Sequence, residues 1–204
     1  SGKSVKLDPD HPVSLTIWHY YNGAQQAMFD TLVKEFNASV GKEEGVYVES
    51  YSQGSVSDLE EAVNSSLNGE VGAEELPDIF SSYSDTAYAV QQQDMLADLS
   101  VYFTEDELSR YVDSYIQEGY FNQDGALYLF PVAKSTEITM INKTDWESFA
   151  EATGTTVDEL ATTEGITEVA QRYYEWTDEQ TPDVPDDGKA FYGRDSMSNY
   201  FIIG

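Results

Sequence analysis

The side chains best suited to chemistry lie in three polar, aromatic loops, each directly after a predicted strand. The three sets are His19-Tyr20-Tyr21, Ser52-Gln53 and Ser82-Tyr83-Ser84-Asp85. Flat rings beside hydroxyl, amide and carboxylate groups are typical of a pocket that binds a small molecule without covalent chemistry. For any one tyrosine, packing or plain surface exposure is the alternative, because the chain has 15 of them.

Two of these loop assignments have competing interpretations. Asp85 is suited to accepting strong hydrogen bonds from a ligand's hydroxyl groups, but Ser84 or Asp85 is equally suited to capping the helix that follows. Trp18 lies next to the first loop, and it is interpreted as a core residue beneath the binding surface.

The elements that must position these loops alternate regularly. Strands are predicted at 13–17, 46–51 and 76–80, and each is followed by a predicted helix. The first helix begins near Ala24 and has an apolar face of Met28, Leu32 and Phe36. The second follows Val56, Leu59, Val63 and Leu67, and the third covers 86–93. This β-α-β-α-β-α order favours a parallel, doubly wound sheet, in which loops after the strands converge on one edge. We therefore expect the three loops to lie together.

The second half contains helix start signals and a segment that joins two domains. Thr104 and Glu107 form a T-x-x-E capping box before a helix predicted to reach Gly119; Thr156 and Glu159 repeat the box before a shorter helix, and a further helix covers 166–176. Between them, apolar runs at 128–130 and 138–141 flank a polar joint. Two strand-like segments separated in this way predict a chain that leaves one sheet and enters another.

The charge excludes several classes of partner. Thirty-eight acidic and 10 basic residues leave a net charge of −28, so the chain lacks the basic surface that nucleic acids or anionic lipids require. No apolar run approaches the roughly 18 residues of a membrane span. The first dozen residues are polar and are interpreted as a leader or tether.

Enzyme and metal motifs are poorly represented. Neither His11 nor His19 stands in a nucleophile motif, and no cysteine, G-x-S-x-G, H-E-x-x-H or glycine-rich phosphate loop occurs. The acidic run from Asp183 fails as an EF-hand, because Pro185 and Arg194 occupy ligand positions. We expect no catalysis, cofactor or metal, although counting acids does not exclude a glycosidase carboxylate pair.

Four motifs occur in the order found in one protein family. They are the loop Trp18 to Gly23, the strand Leu76-Pro77-Asp78-Ile79, the turn Met95-Leu96-Ala97-Asp98-Leu99, and the crossing segment Gly125 to Asn142. In this the chain resembles family 1 extracellular solute-binding proteins, the capture subunits of bacterial ABC importers, of the carbohydrate-type, maltose-binding-protein-like kind. The resemblance covers residues from about 13 to 204.

The resemblance implies a periplasmic-binding-protein-like bilobal α/β fold with a ligand cleft between lobes. A leader would cover 1–12, the first lobe 13–134, and the start of an incomplete second lobe 135–204. Because the apolar run 199–204 ends the chain, we expect a longer protein. Ser135, Thr136 and Glu137 at the joint are added to the candidate ligand-binding set, although a surface pair such as Glu137 with Lys134 is more often structural.

The resemblance also implies the function. The ligand would be a mono- to oligosaccharide, captured by hinge closure and delivered to a membrane permease by a protein located outside the cell after removal of a signal peptide. A peptide, polyamine or other small solute on the same fold is the nearer alternative. A glycan-active enzyme is the more distant one.

Overall fold

The computed structural model describes residues 6–135 and 138–194. They form two compact units that divide between Ala133 and Lys134. Thr136 and Glu137, and the apolar run 199–204, lie outside the described residues. Within the described ranges, no helix has the length and apolarity that a membrane crossing requires.

Three parallel strands form the sheet of the first unit. β1 spans Val13–His19, β2 spans Val46–Ser52 and β3 spans Ile79–Phe80, in the order β2-β1-β3. β1 pairs with β2 along its whole length and with β3 at Ile17 and Trp18. The central place of the first strand confirms the predicted doubly wound parallel sheet. β3 is shorter than predicted, and Pro77, which precedes it, has no amide hydrogen for a ladder.

The helices of the first unit follow the predicted alternation. They are α1 (Gly23–Ala38), α2 (Val40–Glu44), α3 (Val56–Leu67), α4 (Ser84–Gln91), a 3₁₀ turn (Leu99–Val101), α5 (Glu105–Leu108) and α6 (Asp113–Gln117). The Thr104–Glu107 capping box is confirmed, but the single helix predicted to reach Gly119 is wrong. Tyr111 and Val112 are about half exposed, so little packing is available to hold one continuous helix.

The core of this unit lies between the sheet and helices α3 and α4. Trp18, Leu59, Val63 and Val90 are buried against one another, and Tyr20, Leu76 and Phe80 pack around them. The core interpretation of Trp18 is therefore confirmed. Burial of the aromatic and aliphatic side chains in this cluster is the main stabilising contribution to the fold.

Helix α1 departs from its predicted role. Met28 is 71% exposed and Leu32 is 59% exposed, and the helix buries none of its residues. Its attachment to the sheet includes the half-buried Phe29 ring, and it also includes a polar contact, in which the Asn37 amide donates to the Val48 carbonyl and accepts from the Val48 N–H, both at 2.8 Å. Asn37 thus pairs with the free side of β2 as a neighbouring strand would.

Two aspartates from the sequence motifs hold backbone groups. The Asp78 carboxylate accepts the Thr16 N–H (2.8 Å) and the Thr16 hydroxyl (3.0 Å), which joins the start of β3 to β1. Asp98 accepts the Ser100 N–H (2.9 Å) and the Leu127 N–H (3.1 Å). The Thr16 bonds lower the pKa of Asp78. The Ser100 hydroxyl, which donates to Asp98 at 2.6 Å, lowers the pKa of Asp98 together with the two backbone bonds.

The crossing segment contains no strand among its described residues, so the two predicted strands at 128–130 and 138–141 are wrong. The Tyr128 N–H donates to the Gly119 carbonyl, and the Phe130 ring stacks on Phe103 with centroids 4.8 Å apart. Single backbone bonds and side-chain stacking hold this segment in place of a ladder. An apolar run forms a stable strand only where a second strand pairs with it.

Helices are the regular secondary structure found among the described residues of the second unit. It comprises α7 (Lys143–Thr153), a 3₁₀ helix (Val157–Ala161) and α8 (Thr163–Asp178). Phe149 is fully buried, with the rings of Tyr173 and Trp176 at centroid distances of 5.2 and 5.5 Å. The Thr156 capping box is confirmed, and its Glu159 also pairs with Arg172 at 2.9 Å.

Helix α7 was not predicted. Asn142 caps α7 by accepting the Thr144 N–H at 3.1 Å. The apolar residues of α7 are few, which weakens the periodic signal on which the sequence analysis relied.

We predict that Asp98→Ala destabilises the first unit by roughly 1–3 kcal/mol. The Ser100 N–H, the Ser100 hydroxyl and the Leu127 N–H would each lose a charged hydrogen-bond acceptor. Urea denaturation followed by circular dichroism measures the change. Asp183→Ala, at an exposed aspartate in the loop after α8, is the matched control and should change stability little. Equal urea midpoints for the two variants would contradict a stabilising role of the Asp98 hydrogen bonds.

Candidate functional site

Backbone hydrogen bonds bring the three predicted loops together at the carboxyl end of β1. The Trp18 carbonyl accepts the Ser81 N–H at 3.0 Å, and the His19 carbonyl accepts the Gln53 N–H at 2.7 Å. The loops after β2 and β3 therefore both attach to the last two residues of β1. This is the edge of a parallel sheet where ligands usually bind.

The first loop is held at both backbone groups of Tyr21. The Tyr21 N–H donates to Nδ1 of His19 at 3.1 Å, and the Tyr21 carbonyl accepts the Ser52 hydroxyl at 2.6 Å. The loop after β1 is thus tied to its own strand and to the end of β2. Two such bonds restrict where the Tyr20 and Tyr21 rings lie.

Three tyrosines lie close together at this edge. The Tyr20 and Tyr21 rings have centroids 5.4 Å apart. Burial raises the pKa of Tyr20, and the neighbouring Tyr83 and Tyr21 phenols raise it further. Tyr83 is 36% exposed. Tyr20 and Tyr21 are half-buried, so each presents part of a ring to solvent.

A second acidic side chain accompanies Asp85. Burial raises the pKa of Glu60 in α3, and the nearby Asp85 carboxylate raises it further. Asp85 lies in the first turn of α4 and accepts the Thr86 N–H at 2.8 Å, but the N-cap residue is Tyr83, whose side chain makes no capping bond. Neither Ser84 nor Asp85 is therefore the N-cap. The sequence analysis missed Glu60, which is one of several acids in an ordinary helix.

The remaining predicted site residues are placed as follows. Gln53 and Ser82 are half-buried in their loops, and the Ser82 hydroxyl donates to the Tyr83 carbonyl at 2.6 Å. His19 is 1% exposed, so its ring lies beneath the loop surface. Ser135 is exposed in the second unit, and Thr136 and Glu137 lie outside the described residues. Ligand contact by any of the predicted site residues stays a prediction.

The second unit contains a cavity among its described residues. A cavity of about 190 Å³ is bordered by aromatic residues of α7, α8 and the segment after α8, among them Trp146, Phe149, Tyr173 and Phe191. In the part of the chain that the structure describes, no group of three or more histidine, aspartate or glutamate side chains is arranged to hold a metal ion.

Comparison with known proteins decides the family. The sequence profile of bacterial extracellular solute-binding proteins matches residues 31–204. The chain belongs to this family. The resemblance drawn from the four motifs is thereby confirmed, and such a match places the protein in an extracellular or periplasmic class. Solute binding, not an enzyme class, defines the family.

Two solved structures are similar to this solute-binding protein over part of its length. One is a cyclic α-maltosyl-1,6-maltose binding protein from Arthrobacter globiformis, with 28% identity and a TM-score of 0.45. The other is a family 1 extracellular solute-binding protein from Alicyclobacillus acidocaldarius, with 20% identity and a TM-score of 0.45. Each match covers 57% of this chain and 27% of the other protein. Among curated proteins, none matches the chain significantly.

We predict that Glu60→Gln stabilises the ligand-free solute-binding protein at pH 7 and raises its unfolding midpoint by about 1–3 °C. The folded-state pKa of Glu60 lies above the ordinary 4.5, so the folded carboxylate carries a penalty. That penalty builds as the pH rises through 4.5 and is absent below it. Calorimetry of the natural protein and the variant, at pH 7 and at a pH below 4.5, measures the change in unfolding midpoint.

Glu61→Gln, at the exposed neighbouring glutamate, is the matched control and should leave the midpoint within error. A destabilised Glu60→Gln protein at pH 7 would contradict the proposed electrostatic penalty.

Proposed function

We propose that this protein is the extracellular capture component of an ABC importer, and that it binds a carbohydrate, from a mono- to an oligosaccharide, for delivery to a membrane permease. Membership of the solute-binding family supports capture of a small molecule. The observation that carries the sugar assignment is the group of three tyrosines beside hydroxyl, amide and carboxylate groups at the carboxyl edge of the sheet.

The chemistry of this edge suits a sugar. A pyranose ring has apolar C–H faces and hydroxyl edges, so it needs flat aromatic surfaces together with fixed donors and acceptors. The partly exposed Tyr20, Tyr21 and Tyr83 rings would stack on the C–H faces. The Gln53 amide and the Asp85 carboxylate would bond the hydroxyl groups, and the charged acceptor would form the stronger bonds.

The first loop is preorganised for this role. Because the Tyr21 N–H and carbonyl are both held in the absence of ligand, less conformational entropy is lost when a sugar packs against the rings. Capture would then involve no covalent step and no cofactor. Delivery would occur outside the cytoplasm, after removal of a signal peptide, with residues 1–12 as part of a surface tether.

A cationic solute such as a polyamine is the second candidate. The raised pKa of Glu60 beside Asp85 favours it, because two neighbouring carboxylates gain from a cation between them. Among the described residues, no lysine or arginine forms an ion pair with either carboxylate. Tyrosine faces at the same edge also suit a cation.

We predict a thermal shift with a sugar in a screen of sugars, amino acids, peptides and polyamines. A ligand at about a hundred times its dissociation constant stabilises the folded protein by roughly 2.7 kcal/mol, because it binds only that state. The screen uses this chain and the full-length protein in parallel. A response to polyamines alone would favour the second candidate, and turnover of a chromogenic glycoside would indicate an enzyme.

We predict that alanine at Tyr20, Tyr21 or Tyr83 weakens sugar binding by about 5–30-fold, because each variant loses a stacking face worth about 1–2 kcal/mol. Isothermal titration with the sugar found in the screen measures the affinities. Tyr47→Ala is the matched control, since Tyr47 is 49% exposed near the amino end of β2, away from the loops. Affinities equal to the control in all three variants would overturn the site placement.

A further inference from the structure

The His19 side chain is the most completely buried polar group of the candidate site. It is 1% exposed, and its ring packs edge-on against Phe29 of α1 with centroids 4.8 Å apart. The Tyr21 ring covers it at 5.3 Å. In this structure, a side chain so enclosed affects the loop surface through the residues it contacts.

The hydrogen bonds of His19 assign its protonation state. Nδ1 accepts the Tyr21 N–H, so this nitrogen carries a lone pair and the ring proton lies on Nε2. Nε2 is buried and has no partner among the described residues. The ring is therefore neutral, and its one hydrogen bond is the bond to the loop.

We propose that His19 is a positioning residue of the binding loop, which holds the Tyr21 backbone only while its imidazole is neutral and releases it in mild acid. The inference rests on the proposed function only in calling the loop after β1 a binding loop. The geometric part stands on the buried ring and on the bond between Nδ1 and the Tyr21 amide.

Protonation converts the acceptor into a donor. A proton on Nδ1 faces the Tyr21 N–H, so the bond is lost and two donors oppose each other. The new charge also lies among aromatic rings that exclude water. Both effects are relieved when the loop moves away and admits solvent. The Ser52 hydroxyl still holds the Tyr21 carbonyl, so the loop loosens and is not detached.

The groups around the ring agree with this behaviour. Burial lowers the pKa of His19, and the Asp30 carboxylate on α1 offsets part of the effect. From β2 the strand partner is the uncharged Ser52, and in the loop after β1 the neighbouring side chains are those of Tyr20 and Tyr21.

The sign of the pH dependence follows from the lowered pKa. The unfolded chain binds this proton more readily than the folded protein does. The contribution of His19 to stability is therefore complete above 6.5 and is lost as the pH falls below 6.5 towards the folded-state pKa.

Amide hydrogen exchange of Tyr21, measured by NMR without ligand and corrected for the intrinsic rate, tests the proposal. Between about pH 7.5 and about pH 4.5 we expect the Tyr21 protection factor to fall by about tenfold in the natural protein. The Val63 amide, at a residue with 0% exposure in the core, must stay protected, which separates loop release from global unfolding.

Three variants distinguish positioning from simple packing. His19→Asn keeps a side-chain acceptor for the Tyr21 amide and does not titrate. We therefore expect the Tyr21 amide of this variant to be protected equally at both pH values. His19→Leu fills the space without an acceptor, so Tyr21 should be poorly protected at both pH values. His11→Asn, at the exposed second histidine, should behave like the natural protein.

Two results would overturn the inference. One is a Tyr21 protection factor in the natural protein that is constant over the pH range, and the other is full protection in His19→Leu. No sugar is present in this experiment, so a failed ligand screen leaves its result intact. A pH-independent amide, in turn, rejects the His19 mechanism and leaves the solute-binding proposal untouched.

Discussion

The parallel pairing of β1 with strands on both sides is the constraint on which the first unit depends. Its register places the last residues of β1 and β2 opposite each other, and its final carbonyls, those of Trp18 and His19, accept the amides that begin the other two loops. The three loops are therefore positioned by one strand end. Because these are backbone bonds, they specify where the loops start and leave the side chains free to vary.

The carboxylates of this strongly acidic chain have two different structural roles. Asp78 and Asp98 each accept a backbone amide from a distant part of the chain. The bonds from Thr16 lower the pKa of Asp78, and the Ser100 hydroxyl, together with the Ser100 and Leu127 amides, lowers the pKa of Asp98. Glu60 behaves in the opposite way, because burial and Asp85 disfavour its charge. The first type of carboxylate holds the fold together. The second type carries an electrostatic penalty of the kind that is frequent at functional sites.

The predictions that hold are those that depend on local rules. The alternation of strands and helices and both threonine capping boxes follow from patterns within a few residues, and the structure confirms them. The strands predicted in the crossing segment are wrong, since a strand needs a partner that the apolar run itself does not supply. The continuous helix to Gly119 and the buried face of α1 are wrong for a related reason, because periodicity does not reveal what a helix packs against.

The sequence by itself determined the alternation of strands and helices at the start of the chain, the class of sheet and the family, since strand and helix periods, capping residues and short motifs are patterns of residues that are close in sequence. Only the tertiary structure decided that His19 is buried beneath its loop, that Glu60 and Asp85 influence each other, and that Asp78 and Asp98 bind distant backbone groups. Burial and carboxylate interactions across separate elements depend on where the folded chain brings together residues that are far apart in sequence. No local pattern records that arrangement.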